Sequence, residues 1–115
     1  MKKNTLLSPT ESGVCSLLEP VKNVAHGIVS RAVLTTPGLR LTLFNFAAGQ
    51  ELSEHTSKAR ALVQILSGTC AFSVGGVVHV LKPGDLLHLP PNAPHAVTAP
   101  EAFSMLLTQI TEPAA

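Results

Sequence analysis

Residues 61–85 run ALVQILSGTCAFSVGGVVHVLKPGD, and their punctuation decides the fold. Residues 61–67 (ALVQILS) form an apolar run closed by Gly68, and residues 69–74 (TCAFSV) follow at once. Gly75-Gly76 then parts this run from residues 77–81 (VVHVL). A Gly-Gly pair supplies the two positive φ angles of a tight hairpin, so the flanking runs read as strands folded back on each other. Lys82-Pro83-Gly84-Asp85 makes the next turn. Helices do not survive proline and glycine at such short intervals, whereas short strands joined by turns do.

The same grammar extends outward in both directions. Toward the C-terminus, residues 86–89 read as a short strand, Pro90-Pro91-Asn92-Ala93-Pro94 as a rigid loop, and residues 96–99 and 103–110 as the last two strands. Toward the N-terminus, residues 29–35 read as a strand closed by the turn Thr36-Pro37-Gly38. Residues 39–46 then alternate, with Leu39, Leu41 and Leu43 on one face and Arg40, Thr42, Phe44 and Phe46 on the other. The opening is less regular, and residues 14–21 read as an arm packed against a partner or a wall of the domain. The resulting division is an N-terminal arm over 1–28, a β domain over 29–110 and a tail over 111–115. Short strands at this spacing predict an all-β antiparallel sandwich or barrel. Several strands, ALVQILS above all, are apolar on both faces, and a small barrel has only one face to its interior. The second apolar face therefore predicts burial between subunits, in a homodimer.

Composition narrows the functional classes. The chain has 115 residues, 45% hydrophobic and 13% charged, enough for one domain with an ordinary core. Eight basic and seven acidic residues leave a formal charge of +1, with both signs scattered, so the footprint of a nucleic-acid binder is missing. Trp and Tyr are absent and Phe occurs four times, which argues against aromatic stacking platforms. No run approaches the ~18 apolar residues of a membrane span. Leu6-Leu7 is cut short by Ser8-Pro9-Thr10-Glu11, so the opening does not read as a signal peptide. A cytoplasmic location follows as the expectation, with Cys15 and Cys70 reduced and Cys70 a small core residue.

Two histidines stand out from this frame. His55 lies in GQELSEHTS (residues 49–57), just before the ALVQILS run, and His95 follows the proline-rich loop as Pro94-His95. The ordered set Gly49, His55, Gly68, Gly75-Gly76, Pro83-Gly84-Asp85, Pro90 and Pro94-His95 resembles the paired motifs of small single-domain, RmlC-like members of the cupin family. The resemblance spans most of the chain, roughly residues 29–110, and implies an antiparallel jelly-roll β-barrel. In metal-binding cupins the first motif provides two histidines two residues apart and then a glutamate, and the second provides a third histidine. Carried onto this chain, those positions are His55, Ser57, Ala61 and His95. The resemblance thus implies His55 and His95 as metal ligands, for iron, manganese, nickel or zinc, with half of the ligand set missing.

Elementary geometry explains the family spacing and weighs the gap. Residues two apart on a strand share a face at ~6.6 Å, so side chains at 55 and 57 can converge on one point. Serine is too short and too weak a donor to replace imidazole, and Ala61 offers nothing. Glu51 shares the parity of His55 but lies ~13 Å away along an extended strand, and Glu54 points to the opposite face of a regular strand. Tight zinc sites usually have at least three protein ligands.

Three readings stay open: an interior pocket in which His55 and His95 hydrogen-bond a small organic ligand, a metal-dependent dioxygenase- or isomerase-type enzyme, and a protein-interaction scaffold. For the pocket, Ser57, Phe44 and Met105 join the histidines as ligand-contacting candidates, Met105 by its shared parity with Phe103. His88 reads as facing pocket or solvent, the solvent more readily; His79 sits on an exposed edge; His26 belongs to the irregular opening; Gln64 faces outward. No nucleophile elbow, phosphate loop or dinucleotide fingerprint is present. Glu51, Glu54, Asp85 and Glu101 form no carboxylate pair, Asp85 reads as the cap of its turn, and no catalytic residue is assigned.

Overall fold

The computed structural model describes residues 5–18 and 26–112. Among them nine strands follow one another: β1 (Ile28–Thr36), β2 (Leu39–Phe46), β3 (Glu51–His55), β4 (Arg60–Ser67), β5 (Cys70–Val74), β6 (Val77–Leu81), β7 (Leu86–Leu89), β8 (His95–Thr98) and β9 (Phe103–Ile110). All pair antiparallel, in a five-stranded sheet ordered β1-β2-β9-β4-β7 and a four-stranded sheet ordered β3-β8-β5-β6. This is the jelly-roll arrangement that the sequence implies. No helix of the described residues is long and apolar enough to cross a membrane.

The turns form for the reasons their residues suggest. Val74 faces Val77 across Gly75 and Gly76, whose φ values of 56° and 86° only glycine adopts freely. At the following turn the Asp85 carboxylate accepts the Lys82 backbone N–H at 2.9 Å. That bond, helped by the Lys82 ammonium, holds the Asp85 carboxyl below its ordinary pKa, so Asp85 caps the turn. Gly68 sits at φ 72° with Phe103 packed on it; a Cβ there would lie 2.8 Å from the Phe103 Cα. The run 51–55 shows no apolar alternation, yet it forms the edge strand β3.

The alternation read in β2 is correct, and the register extends it across the sheet. Phe46 pairs with Phe103, Phe44 with Met105, and Met105 with Ile65, all turned inward against Cys70, Phe72, Leu81 and Val97 of the opposite sheet. Phe46 and Phe103 stack with centroids 4.5 Å apart and close one end of the interior. Such pairs add about 0.5–1.5 kcal/mol beyond the area they bury.

The outer face of the larger sheet corrects one step of the sequence argument. Leu6, Leu7, Cys15 and Leu17 pack over Val33, Leu43 and Leu106, with Leu41 and Leu66 alongside. The backbone N–H groups of Leu6 and Leu7 bond the Ala32 and Val33 carbonyls at 3.2 and 2.8 Å, fastening this segment to β1. The chain itself therefore covers much of the second apolar face that the sequence assigned to a partner subunit. The arm packs on the domain wall through Cys15 and Leu17, while Val14 and Leu18 are exposed and residues 19–21 lie outside the described residues.

Candidate functional site

A cavity of about 270 Å³ lies between the two sheets. Its walls are apolar, with Phe44, Met105 and Leu107 from the larger sheet facing Phe72 and Val97 from the smaller one. His55, Ser57, His95 and Gln109 are its polar lining. Both expected histidines are therefore in one cavity, together with the expected Ser57, Phe44 and Met105.

The two histidines are brought together by backbone pairing. His55 is the last residue of β3, His95 the first of β8, and they are register partners. Their rings meet edge to face with centroids 4.2 Å apart, and Phe72 stacks near His95 at 6.2 Å. The register runs from Leu52 opposite Val97 to His55 opposite His95, three residues along β3 against two along β8. This β-bulge turns both Leu52 and His55 toward the cavity, which a regular strand could not do. It also corrects the parity assigned to Glu51, which pairs with Thr98 on the outer face instead of sharing the face of His55. Neither Glu51 nor Glu54 lines the cavity.

Each imidazole is oriented by the same local bond. His55 Nδ1 donates to the Ser53 carbonyl and His95 Nδ1 to the Ala93 carbonyl, each at 2.9 Å. A carbonyl only accepts, so Nδ1 carries the hydrogen on both rings and Nε2 carries the lone pair when the ring is neutral. Two adjacent loops hold the arrangement: the Ser57 carbonyl accepts the Asn92 N–H at 2.7 Å, with Asn92 at φ 69°. Asparagine tolerates this left-handed conformation better than most residues.

The metal expectation can be tested on these donors. All four motif positions, His55, Ser57, Ala61 and His95, line the cavity, so the positional correspondence holds. The chemistry does not follow. The Ser57 hydroxyl accepts the Ala59 N–H at 3.2 Å, and position 61 presents a methyl group. Among the described residues no three His, Cys, Asp or Glu side chains could hold one ion. Two imidazoles alone fall short of the three protein ligands of even an open catalytic zinc site. The residues present do not fit a resident divalent metal.

The remaining expectations sort cleanly. His88 pairs with Leu62 on the outer face of the larger sheet, where Arg60 Nη1 donates to its Nε2 at 2.7 Å. His79 is exposed on the edge strand β6, His26 is exposed, and Gln64 is exposed. Cys15 and Cys70 are free thiols, and burial pushes the Cys70 thiol up to about 11. Gln109 went unnoticed in the sequence, although it continues the inward parity of Phe103, Met105 and Leu107.

Comparison with known proteins places this geometry. A family model described as a Cupin domain matches residues 42–109. A conserved protein of unknown function from Streptococcus pyogenes superposes with a TM-score of 0.83 at 29% identity, covering 99% of this chain and 98% of its own. A Cupin 2 conserved barrel domain protein from Leptotrichia buccalis is 35% identical with a TM-score of 0.76, over 81% of this chain and 45% of that one. A cupin superfamily protein from Desulfitobacterium hafniense, 24% identical with a TM-score of 0.80 and 96% and 97% of the two chains covered, shares the fold. No curated protein matches the chain.

Proposed function

The chain belongs to the cupin domain family, and from that premise we propose that it binds a small organic molecule inside the barrel, against His55 and His95. One observation carries this reading: two imidazoles with their Nδ1 hydrogens committed to carbonyls stand side by side in a mostly apolar cavity. Such a wall gives a ligand apolar area for affinity and a few placed polar groups for orientation, the usual composition of a small-molecule site. The free Nε2 atoms accept a hydroxyl, an amine or an acid proton from the ligand.

A metal-dependent enzyme asks for donors that positions 57 and 61 do not supply, and no step is assigned to a metal. A ligand-observed NMR screen of small organic molecules tests the proposal against the wild type, His55→Ala and His95→Ala. Molecules bound by the wild type are expected to lose roughly three- to tenfold in affinity in either variant, from one lost hydrogen bond. Because His55 is exposed, the melting temperature of His55→Ala is expected to stay within a few degrees of the wild type. Binding that survives both substitutions, or no binding at all, contradicts the proposal.

A further inference from the structure

The inner face of the larger sheet carries one more row beyond the hydrophobic layers. Arg40 pairs with Gln109, Gln109 with Ala61, and Ala61 with Leu89, so these four side chains share the cavity-facing side of four adjacent strands. Gln109, Ala61 and Leu89 line the cavity directly. Arg40 lines an adjoining cleft of about 170 Å³, and Ala59 and Gln109 border both spaces. The cleft and the cavity are therefore neighbours with a shared wall at Ala59 and Gln109.

Charge around these two spaces is one-sided. Neither space is lined by an aspartate or a glutamate. Among the described residues the ion pairs are Arg60 with Glu112 and Lys82 with Asp85, and Arg40 takes part in neither. Arg40, exposed on β2, lines the cleft together with its register partner Gln109, and the cavity beyond adds His55, Ser57 and His95 as polar groups. A planar guanidinium matches a carboxylate with two parallel N–H donors, and Gln109 can add a third from its amide.

We propose that the ligand is an organic carboxylate, its apolar body between the sheets and its charged end held in the cleft by Arg40 and Gln109. This rests on the interior-binding reading and specifies its chemical class. Arg40 is a specificity residue in this account, selecting acids over neutral molecules of the same shape.

The test uses 4-phenylbutyrate and the uncharged 4-phenylbutan-1-ol, titrated into isotopically labelled protein. The Met105 methyl reports on the interior, and the backbone amides of Leu39 and Thr111 report on the cleft. The acid is expected to move both sets of signals and to bind about tenfold more tightly than the alcohol. That preference should vanish in Arg40→Gln, persist in the outer-face control Arg31→Gln, and shrink at high salt. Equal binding of both molecules at Met105, indifferent to Arg40→Gln, overturns the carboxylate inference and leaves the interior reading standing. Acid binding that moves the cleft signals alone also overturns it. If neither molecule perturbs Met105, the interior reading itself fails.

Discussion

His55 and His95 are register partners across the β3–β8 pair, and a one-residue bulge in β3 turns His55 into the cavity that His95 already faces, with the two rings 4.2 Å apart. Without the bulge, inward Leu52 would place His55 on the outer face. The chemical centre of the molecule thus depends on a local irregularity of the sheet.

The correspondence with the motif of metal-binding cupins is one of position without chemistry, and that can be reversed. Ser57→His combined with Ala61→Glu puts four donor side chains around one cavity. The double variant is expected to retain zinc through gel filtration, measured by elemental analysis, while the wild type does not. Ala61 is only 6% exposed, so the buried glutamate should lower the metal-free melting temperature. Zinc at about a thousand times its dissociation constant should restore roughly 4 kcal/mol. Stoichiometric zinc on the untagged wild type would refute this reading of positions 57 and 61.

Gly68 offers a test of the fold. Its φ of 72° and the nearness of the Phe103 Cα leave no room for a methyl group. Gly68→Ala is expected to lower stability by about 2 kcal/mol or more in urea unfolding, because strain of this type costs roughly 1–3 kcal/mol before the clash is counted. An unchanged midpoint would mean that the turn packs differently.

Alkaline stability should report on Cys70. The thiol stays neutral in the folded protein up to about pH 11, while in the unfolded chain it ionises near 9.0. Above pH 9.0 the unfolded state holds fewer protons, so stability falls between pH 9.0 and about 11 and is fully present below. The loss is on the order of 2–3 kcal/mol by the usual 1.36 kcal/mol per unit. Cys70→Ala should flatten this decline in urea melts taken across that window, whatever its effect at neutral pH. An equally steep decline in the variant would assign it to other groups.

The N-terminal segment is expected to be part of the folded unit. Leu7 packs over Val33 and Leu43, and its N–H is bonded to β1. Leu7→Ala should cost about 1–2 kcal/mol, less than a fully buried leucine, since Leu7 keeps some exposure. It should also raise the binding of a dye specific for exposed apolar surface. No change in either readout would show that the segment does not cover this face in solution.

Much of this was legible in residue order, and the limits have physical causes. Gly75-Gly76, Pro83-Gly84-Asp85 and the alternation from Leu39 to Phe46 encode turns and faces locally, so the hairpins and the inward side of β2 could be read directly. The positions of His55, Ser57, Ala61 and His95 followed from motif spacing. Glu51 was misplaced because a bulge shows itself only in the pairing of two strands, and β8 lies 40 residues beyond β3. The cover supplied by Leu6, Leu7, Cys15 and Leu17 was hidden for a similar reason: a segment without periodicity does not announce which face it packs on. Arg40 and Gln109 look like unrelated surface residues until β2 and β9 are aligned.

The most direct test is the tautomeric state of the two imidazoles, read from long-range 1H–15N correlations of the histidine rings with and without a molecule found to bind. The account predicts Nδ1–H on both His55 and His95 in the free neutral protein, with Nε2 resonances that shift when the interior is filled. A proton on Nε2 of either neutral ring, or ring signals that ignore every molecule perturbing Phe44 and Met105, would contradict it.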